Sequence, residues 1–218
     1  MQKNITYLIF DLDGTLIDSS PAILASFAQV LAKNQLTAQV PLNKNLIGPP
    51  LPATLSTITG IHDAAHIKQL IEDFKAIYDS EGLYATSVYQ NVDQTLRQLH
   101  TEGKKLYIAT NKREHPTLLL LKHFKWESLF SAIYCTDSRK PPFINKDEML
   151  QELIRAKSIN KEGCLFIGDT LPDANAALSN QVNFLAATWG YGDWANIPQQ
   201  SHWQLITEAG QIMSALKN

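Results

Sequence analysis

The chain has 218 residues, with 19 Lys and Arg against 21 Asp and Glu, for a formal net charge of −2 at pH 7. Its 44% hydrophobic and 18% charged residues are the make-up of an ordinary globular protein, long enough for one core domain plus a smaller insertion. That composition excludes global disorder and collagen-like architecture, and a near-neutral charge without a long basic run gives no footing for nucleic-acid binding.

The first apolar run, Thr6 to Phe10, is broken by Asp11 and is too short for a signal-peptide core or a membrane span. The expectation is a full-length cytoplasmic chain with no membrane partner. From about Leu16 to Tyr89 the pattern is helical and no strand is expected. Ser20 as N-cap and Pro21 at the first helical position open an amphipathic stretch at Leu24, Phe27, Ala28 and Leu31. The Pro-rich segment Gly48 to Pro52 separates it from a second stretch at Ile67, Leu70, Ile71, Phe74, Ile77 and Tyr78.

Beyond it, short apolar runs at Lys105 to Ala109, Ala132 to Cys135, Cys164 to Ile167 and Phe184 to Ala187 read as buried strands. Helical patterns lie between most of them: Val92, Leu96 and Leu99 closed by Gly103, then Leu118 and Leu121, then Met149 to Ile154. Alternating strands and helices predict an α/β fold. Its core is a Rossmann-like parallel sheet built from residues 1–16 and 88–218, with an inserted α-helical cap domain at 17–87. Cys135 and Cys164 lie in strand runs outside any C-x-x-C pair and are expected as reduced core residues. Trp126, Trp194 and Trp203 are taken as packing or surface residues.

In an open parallel sheet, ligands bind at the carboxyl ends of the strands. The residues there are Asp11-Leu12-Asp13-Gly14-Thr15, Thr110-Asn111-Lys112, Thr136-Asp137 and Gly168-Asp169-Thr170. Asp11 and Asp13, two positions apart in extended chain, direct their carboxyls to one side. With Asp169 added, the concentration of negative oxygens is self-repelling unless a hard cation such as Mg²⁺ shares the site. Such a site can run phosphoryl transfer: Asp11 as nucleophile forms an aspartyl phosphate, and Asp13 protonates the leaving oxygen and later takes a proton from water. A cation, a lysine, Thr110 and the amides after it neutralise the phosphoryl oxygens.

These residues resemble the motifs of the haloacid dehalogenase-like hydrolases. Phe10 to Leu16 is similar to the family's first motif, Ile108 to Lys112 to its second, and Gly168-Asp169 followed by Asp173-Ala174 to its fourth. The resemblance implies Mg²⁺ held by Asp11, Asp169 and the backbone carbonyl of Asp13, with Asp173 nearby, and phosphate bound by Thr110 and Asn111. The third motif needs a lysine. Lys146 in Asn145-Lys146, which opens the helix leading back to the strand before Asp169, is preferred to Lys140 in Lys140-Pro141-Pro142. Ile47 to Leu51, Gly82 to Tyr84 and Trp189 to Gly192 look like the phosphoglycolate phosphatase-like or 5'-nucleotidase-like branch. Tyr89-Gln90-Asn91 departs from it, because relatives commonly have a Pro-Gly turn there.

The resulting expectation is a Mg²⁺-dependent phosphatase acting on a small phosphorylated metabolite, as a monomer or homodimer. Two alternatives stand beside it: a phosphomutase of the β-phosphoglucomutase kind, and a non-catalytic binding module on the same scaffold. Asp173 also fits an N-cap of the following Ala-rich helix. His62 and His66 have i, i+4 spacing but no H-E-x-x-H pattern, and are expected on an exposed face.

Overall fold

The computed structural model describes residues 5–197 and 203–216. The chain divides into two compact units, one of residues 1–17 and 88–218 and the other of residues 18–87. In the first, β1 (Tyr7–Phe10), β4 (Lys105–Thr110), β5 (Phe130–Cys135), β6 (Cys164–Gly168), β7 (Asn183–Ala187) and β8 (Trp203–Ile206) form one parallel sheet in the order β5-β4-β1-β6-β7-β8. Both faces of β1, β4 and β6 are covered, which is why these strands are nearly continuous apolar runs and not alternating ones. Ile9, Tyr107, Phe166 and Phe184 pack with α6 (Lys146–Ala156) and α7 (Leu171–Ser179). On the opposite face Phe10 and Ile167 meet Val92 and Leu96 of α4 (Val92–Thr101) and Ile212 of α8 (Gln211–Ala215). Cys135 and Cys164 are buried free thiols, and burial pushes both up to about 12.

Gly103 stops α4 as its spacing suggested, with φ +76°: its N–H donates to His100 O and Lys104 N–H to Leu99 O, satisfying carbonyls of the last turn. The turn at Tyr89-Gln90-Asn91 is closed by Val92 N–H donating to Tyr89 O, with Asn91 at φ +63°. Asparagine tolerates the left-handed region that glycine would otherwise fill, so the missing Pro-Gly leaves the turn intact. Two features depart from the sequence expectation. The strand β8 carries no turn signal of its own, and its Trp203 packs edge-on to the buried Trp194. The two-residue strands β2 (Ile17–Asp18) and β3 (Ser87–Val88) pair within a stretch expected to hold no strand. They are too short to show periodicity.

The second unit contains α1 (Ser20–Lys33), α2 (Leu51–Thr59) and α3 (Ala64–Tyr78). Ser20 is the first helical residue of α1 and not its cap. Asp18 supplies the capping oxygen, accepting from Ser20 N–H and Oγ. The apolar stripes meet at Phe27, Phe74 and Tyr78, with Phe27 tilted against Phe74 and Phe74 stacked on Tyr78. Asp73 is also buried here, accepting from Lys33 Nζ at 2.7 Å, Asn34 Nδ2 at 2.9 Å and Gln69 Nε2 at 3.3 Å. Those donors, the lysine first, hold its carboxyl below the ordinary aspartate value. His62 precedes α3, so the helical spacing to His66 does not apply, and both are exposed.

Candidate active site

After β1 the chain adds β4 and β5 on one side and then β6 and β7 on the other, so the order reverses at β1. A crevice at the carboxyl ends is expected where connections diverge in this way. Asp11 follows β1, Thr110 ends β4 and Asp169 follows β6. All three are buried, as are Lys146 and Asp173.

One oxygen of each of Asp11, Asp169 and Asp173 lies within 4.8 Å of the others. Lys146 is the first residue of α6, whose N-cap Asn145 accepts from Glu148 N–H. Its Nζ donates to Asp11 Oδ1 at 2.5 Å and to Ala109 O at 3.0 Å, and lies 3.0 Å from Asp173 Oδ1. Lys140, the other candidate, is exposed. Burial raises the Asp11 carboxyl to about 7; Lys146 opposes that rise and Asp173 adds to it. Asp169 is raised well above the ordinary range by burial, then by Asp11 and Asp173. Lys146 is raised despite its burial, because Asp11 and Asp173 hold its charge. Three carboxylates answered by one lysine make an all-oxygen donor set with negative charge left over, which fits a hard divalent cation.

Asp169 is fully buried, and backbone approaches it closely. Thr15 Oγ1 donates to its Oδ1 at 3.1 Å and Tyr191 N–H to its Oδ2 at 2.8 Å. Trp194 Nε1 donates to its backbone carbonyl at 2.7 Å. The glycines of the segment Trp189 to Gly192 make this approach possible. A Cβ on Gly190 would sit 2.3 Å from Asp169 Cβ, and one on Gly192 would sit 2.1 Å from Asp169 O. Gly14, at φ +89°, passes so close that its Cβ would fall 2.1 Å from Asp169 Oδ2.

Asp173 is not the N-cap of α7. Thr170 holds that position in a capping box, and Asp173 at the third helical residue accepts through Oδ2 from Thr170 N–H at 3.1 Å and Oγ1 at 2.5 Å. Its Oδ1 faces Lys146, so the same carboxylate closes the helix start and enters the acidic group. Thr110 Oγ1 accepts from Lys112 N–H at 3.1 Å, and Asn111 is half-buried beside it.

Asp13 is not one of the three gathered carboxylates, although its charge still acts on Asp11. Its carboxylate is held by Lys112, whose Nζ lies 3.0 Å from Oδ1 and 3.3 Å from Oδ2. Sequence reasoning missed this pairing, since nothing in the spacing of residues 13 and 112 signals it. The position of Lys112 one step beyond Thr110-Asn111 at a strand end was the available cue.

The family model described as haloacid dehalogenase-like hydrolase matches residues 8–187. Among similar proteins, a phosphoglycolate phosphatase of Cereibacter sphaeroides is 30% identical over 221 residues, covering 96% of this chain and 97% of its own. The tyrosine-protein kinase PtkA of Mycobacterium tuberculosis is 29% identical over 208 residues, covering 94% and 69%. A haloacid dehalogenase-like hydrolase family protein of Streptococcus pneumoniae, SP0104, superposes with a TM-score of 0.84 at 24% identity, covering 97% and 98%, and shares the fold. With the parallel sheet, the acidic crevice and the match over most of its length, this chain belongs to the haloacid dehalogenase-like hydrolases.

Proposed function

We propose that the protein is a Mg²⁺-dependent phosphatase that hydrolyses a small phosphomonoester through a phospho-aspartate, in the manner of the phosphoglycolate phosphatase-like relatives. The observation that supports this reading is the different setting of two aspartates. Asp11 is buried on Lys146 inside the acidic cluster, while Asp13 stands outside it on a second lysine. A nucleophile and a proton carrier have different tasks, and the two aspartates have different partners.

In the first half-reaction an Asp11 carboxylate oxygen attacks phosphorus, while the carboxylic acid of Asp13 gives its proton to the departing alcohol oxygen as the P–O bond breaks. In the second, Asp13 takes a proton from water, whose oxygen attacks the aspartyl phosphate. Inorganic phosphate leaves and Asp11 is restored. Lys146 orients Asp11 and places a fixed positive charge beside the transferring group. The Thr110 hydroxyl and the half-buried Asn111 bind phosphoryl oxygens. Asp11, Asp169, Asp173 and the Asp13 carbonyl would hold Mg²⁺, which when bound offsets the carboxylate repulsion and polarises the phosphoryl group. Residues 18–87 serve as a cap that excludes water and selects the leaving group.

The test is phosphate release from a panel of phosphoglycolate, nucleoside monophosphates and sugar phosphates, with Mg²⁺ and with EDTA. Turnover that needs the metal and falls by about 10³-fold or more in Asp11→Asn is expected, because an amide cannot form the acyl phosphate. Undiminished turnover by Asp11→Asn would defeat the mechanism.

A further inference from the structure

Each of the two aspartates of the first motif has its own lysine. Lys146 accounts for Asp11, but the proposed mechanism gives Lys112 nothing to do. Its position is nonetheless tightly built. The backbone N–H of Lys112 donates to Thr110 Oγ1 at 3.1 Å, and its carbonyl accepts from Thr136 N–H at 3.4 Å, tying it to the ends of two neighbouring strands. The side chain is 5% exposed and the Asp13 side chain 13%. Both carboxylate oxygens lie within hydrogen-bond reach of one ammonium, so rotation of Asp13 about its terminal bond is restrained.

We infer that Lys112 is a positioning residue for the proton carrier Asp13, holding its carboxyl in one orientation and keeping a counter-charge beside the carboxylate that remains after proton transfer. This rests on the phosphatase reading above. When the Asp13 proton passes to the departing oxygen, a neutral acid becomes an anion in a largely dry site. A cation already in contact needs no reorganisation to meet it. Lys112 does not touch the reacting atoms in this account. Its influence is confined to the step in which the leaving group needs a proton, and that confinement is what an experiment can detect.

The experiment compares kcat/KM for phenyl phosphate, whose departing phenolate is helped by a proton, with 2,4-dinitrophenyl phosphate, whose departing anion is stable without one. The ratio of the two is independent of the fraction of active protein, so a partly folded variant still reports. kcat/KM also ends at departure of the leaving group and excludes hydrolysis of the phospho-aspartate. Lys112→Met is expected to lower the phenyl phosphate value by about tenfold or more and the dinitrophenyl value by less than about threefold, as a fraction of the 10²–10⁴ that proton transfer typically contributes. Asp13→Asn is expected to move the ratio in the same direction and further. Lys112→Arg, which keeps the charge, should recover part of the ratio, and Lys112→Met added to Asp13→Asn should leave it where Asp13→Asn put it.

Equal losses on both esters would overturn the inference in favour of phosphate binding or packing. So would a further change of ratio on the Asp13→Asn background. Survival of both activities in Asp11→Asn is a separate outcome that would remove the underlying phosphatase reading, and this inference with it.

Discussion

Asp169 in the sheet unit and Asp73 in the helical unit are both aspartates taken out of water, and their surroundings push them in opposite directions. Asp73 faces a lysine and two amides, which hold it below its ordinary value. Asp169 receives two hydrogen bonds, but it is buried against Asp11 and Asp173, and it is raised. The first arrangement closes locally, with each oxygen answered by donors from α1, its C-cap Asn34 or α3. The second leaves negative charge uncompensated by the protein. A buried carboxylate by itself therefore says little. One whose neighbours repel it, at the carboxyl edge of a parallel sheet, marks a place where the fold accepts a cost in stability for chemistry.

The sharpest way to break this comparison is to remove the one lysine inside the acidic group. Lys146→Met should reduce turnover by about 10²-fold, because it takes away the fixed charge beside Asp11 and the transferring phosphoryl group. Lys140→Ala, at an exposed position, should stay within about twofold. Steady-state kinetics on the best substrate of the panel checks both, and equal losses would mean that the two lysines had been misassigned.

A second contrast sets glycines of the two units against each other. Gly190→Ala places a methyl 2.3 Å from Asp169 Cβ and from Gly14 O, with backbone on one side that cannot yield cheaply. Thermal unfolding should show a loss of about 2 kcal/mol, with activity falling alongside as the Asp169 carboxylate moves. Gly60 in the helical unit has φ +71° but only Gln39 Cγ at 3.5 Å, so Gly60→Ala should cost about 1 kcal/mol from backbone strain alone and leave kcat unchanged.

The smallest effect concerns Asp73. Asp73→Ala should cost roughly 1–2 kcal/mol at neutral pH, the scale of a few partly exposed hydrogen bonds, since Lys33 is half in solvent. A lowered folded value means that the contribution of Asp73 is complete above its unfolded value of about 3.8 and is lost as pH falls through the lower folded one. Denaturant melts of wild type and Asp73→Ala should thus differ most at neutral pH and converge in acid. A gap that widened on acidification would reverse the assignment.

Most of the sheet was legible because strands such as Thr6 to Phe10 and Cys164 to Ile167 are short apolar runs separated by helical periodicity. β8 escaped notice because four residues with only Trp203 and Ile206 buried make no pattern of their own. Asn91 shows the reverse case: a departure from the Pro-Gly expectation that the turn absorbs, because asparagine reaches the same left-handed backbone.

At the site, the collection of Asp11, Asp13, Thr110 and Asp169 along one edge followed from sequence alone, because in a parallel α/β sheet each residue just past a strand arrives at the same rim. Which lysine meets which carboxylate did not follow. Lys112 and Lys146 have long flexible side chains, and only the crossing of β4 beside β1 and the direction of α6 bring them to Asp13 and Asp11. The same holds for Asp169, whose enclosure by Gly14, Gly190 and Gly192 depends on three segments meeting within van der Waals contact. Periodicity and strand-end position are local properties and are written in the chain. Counter-charges and close approaches are distances between segments far apart in sequence, and they exist only once the fold is made.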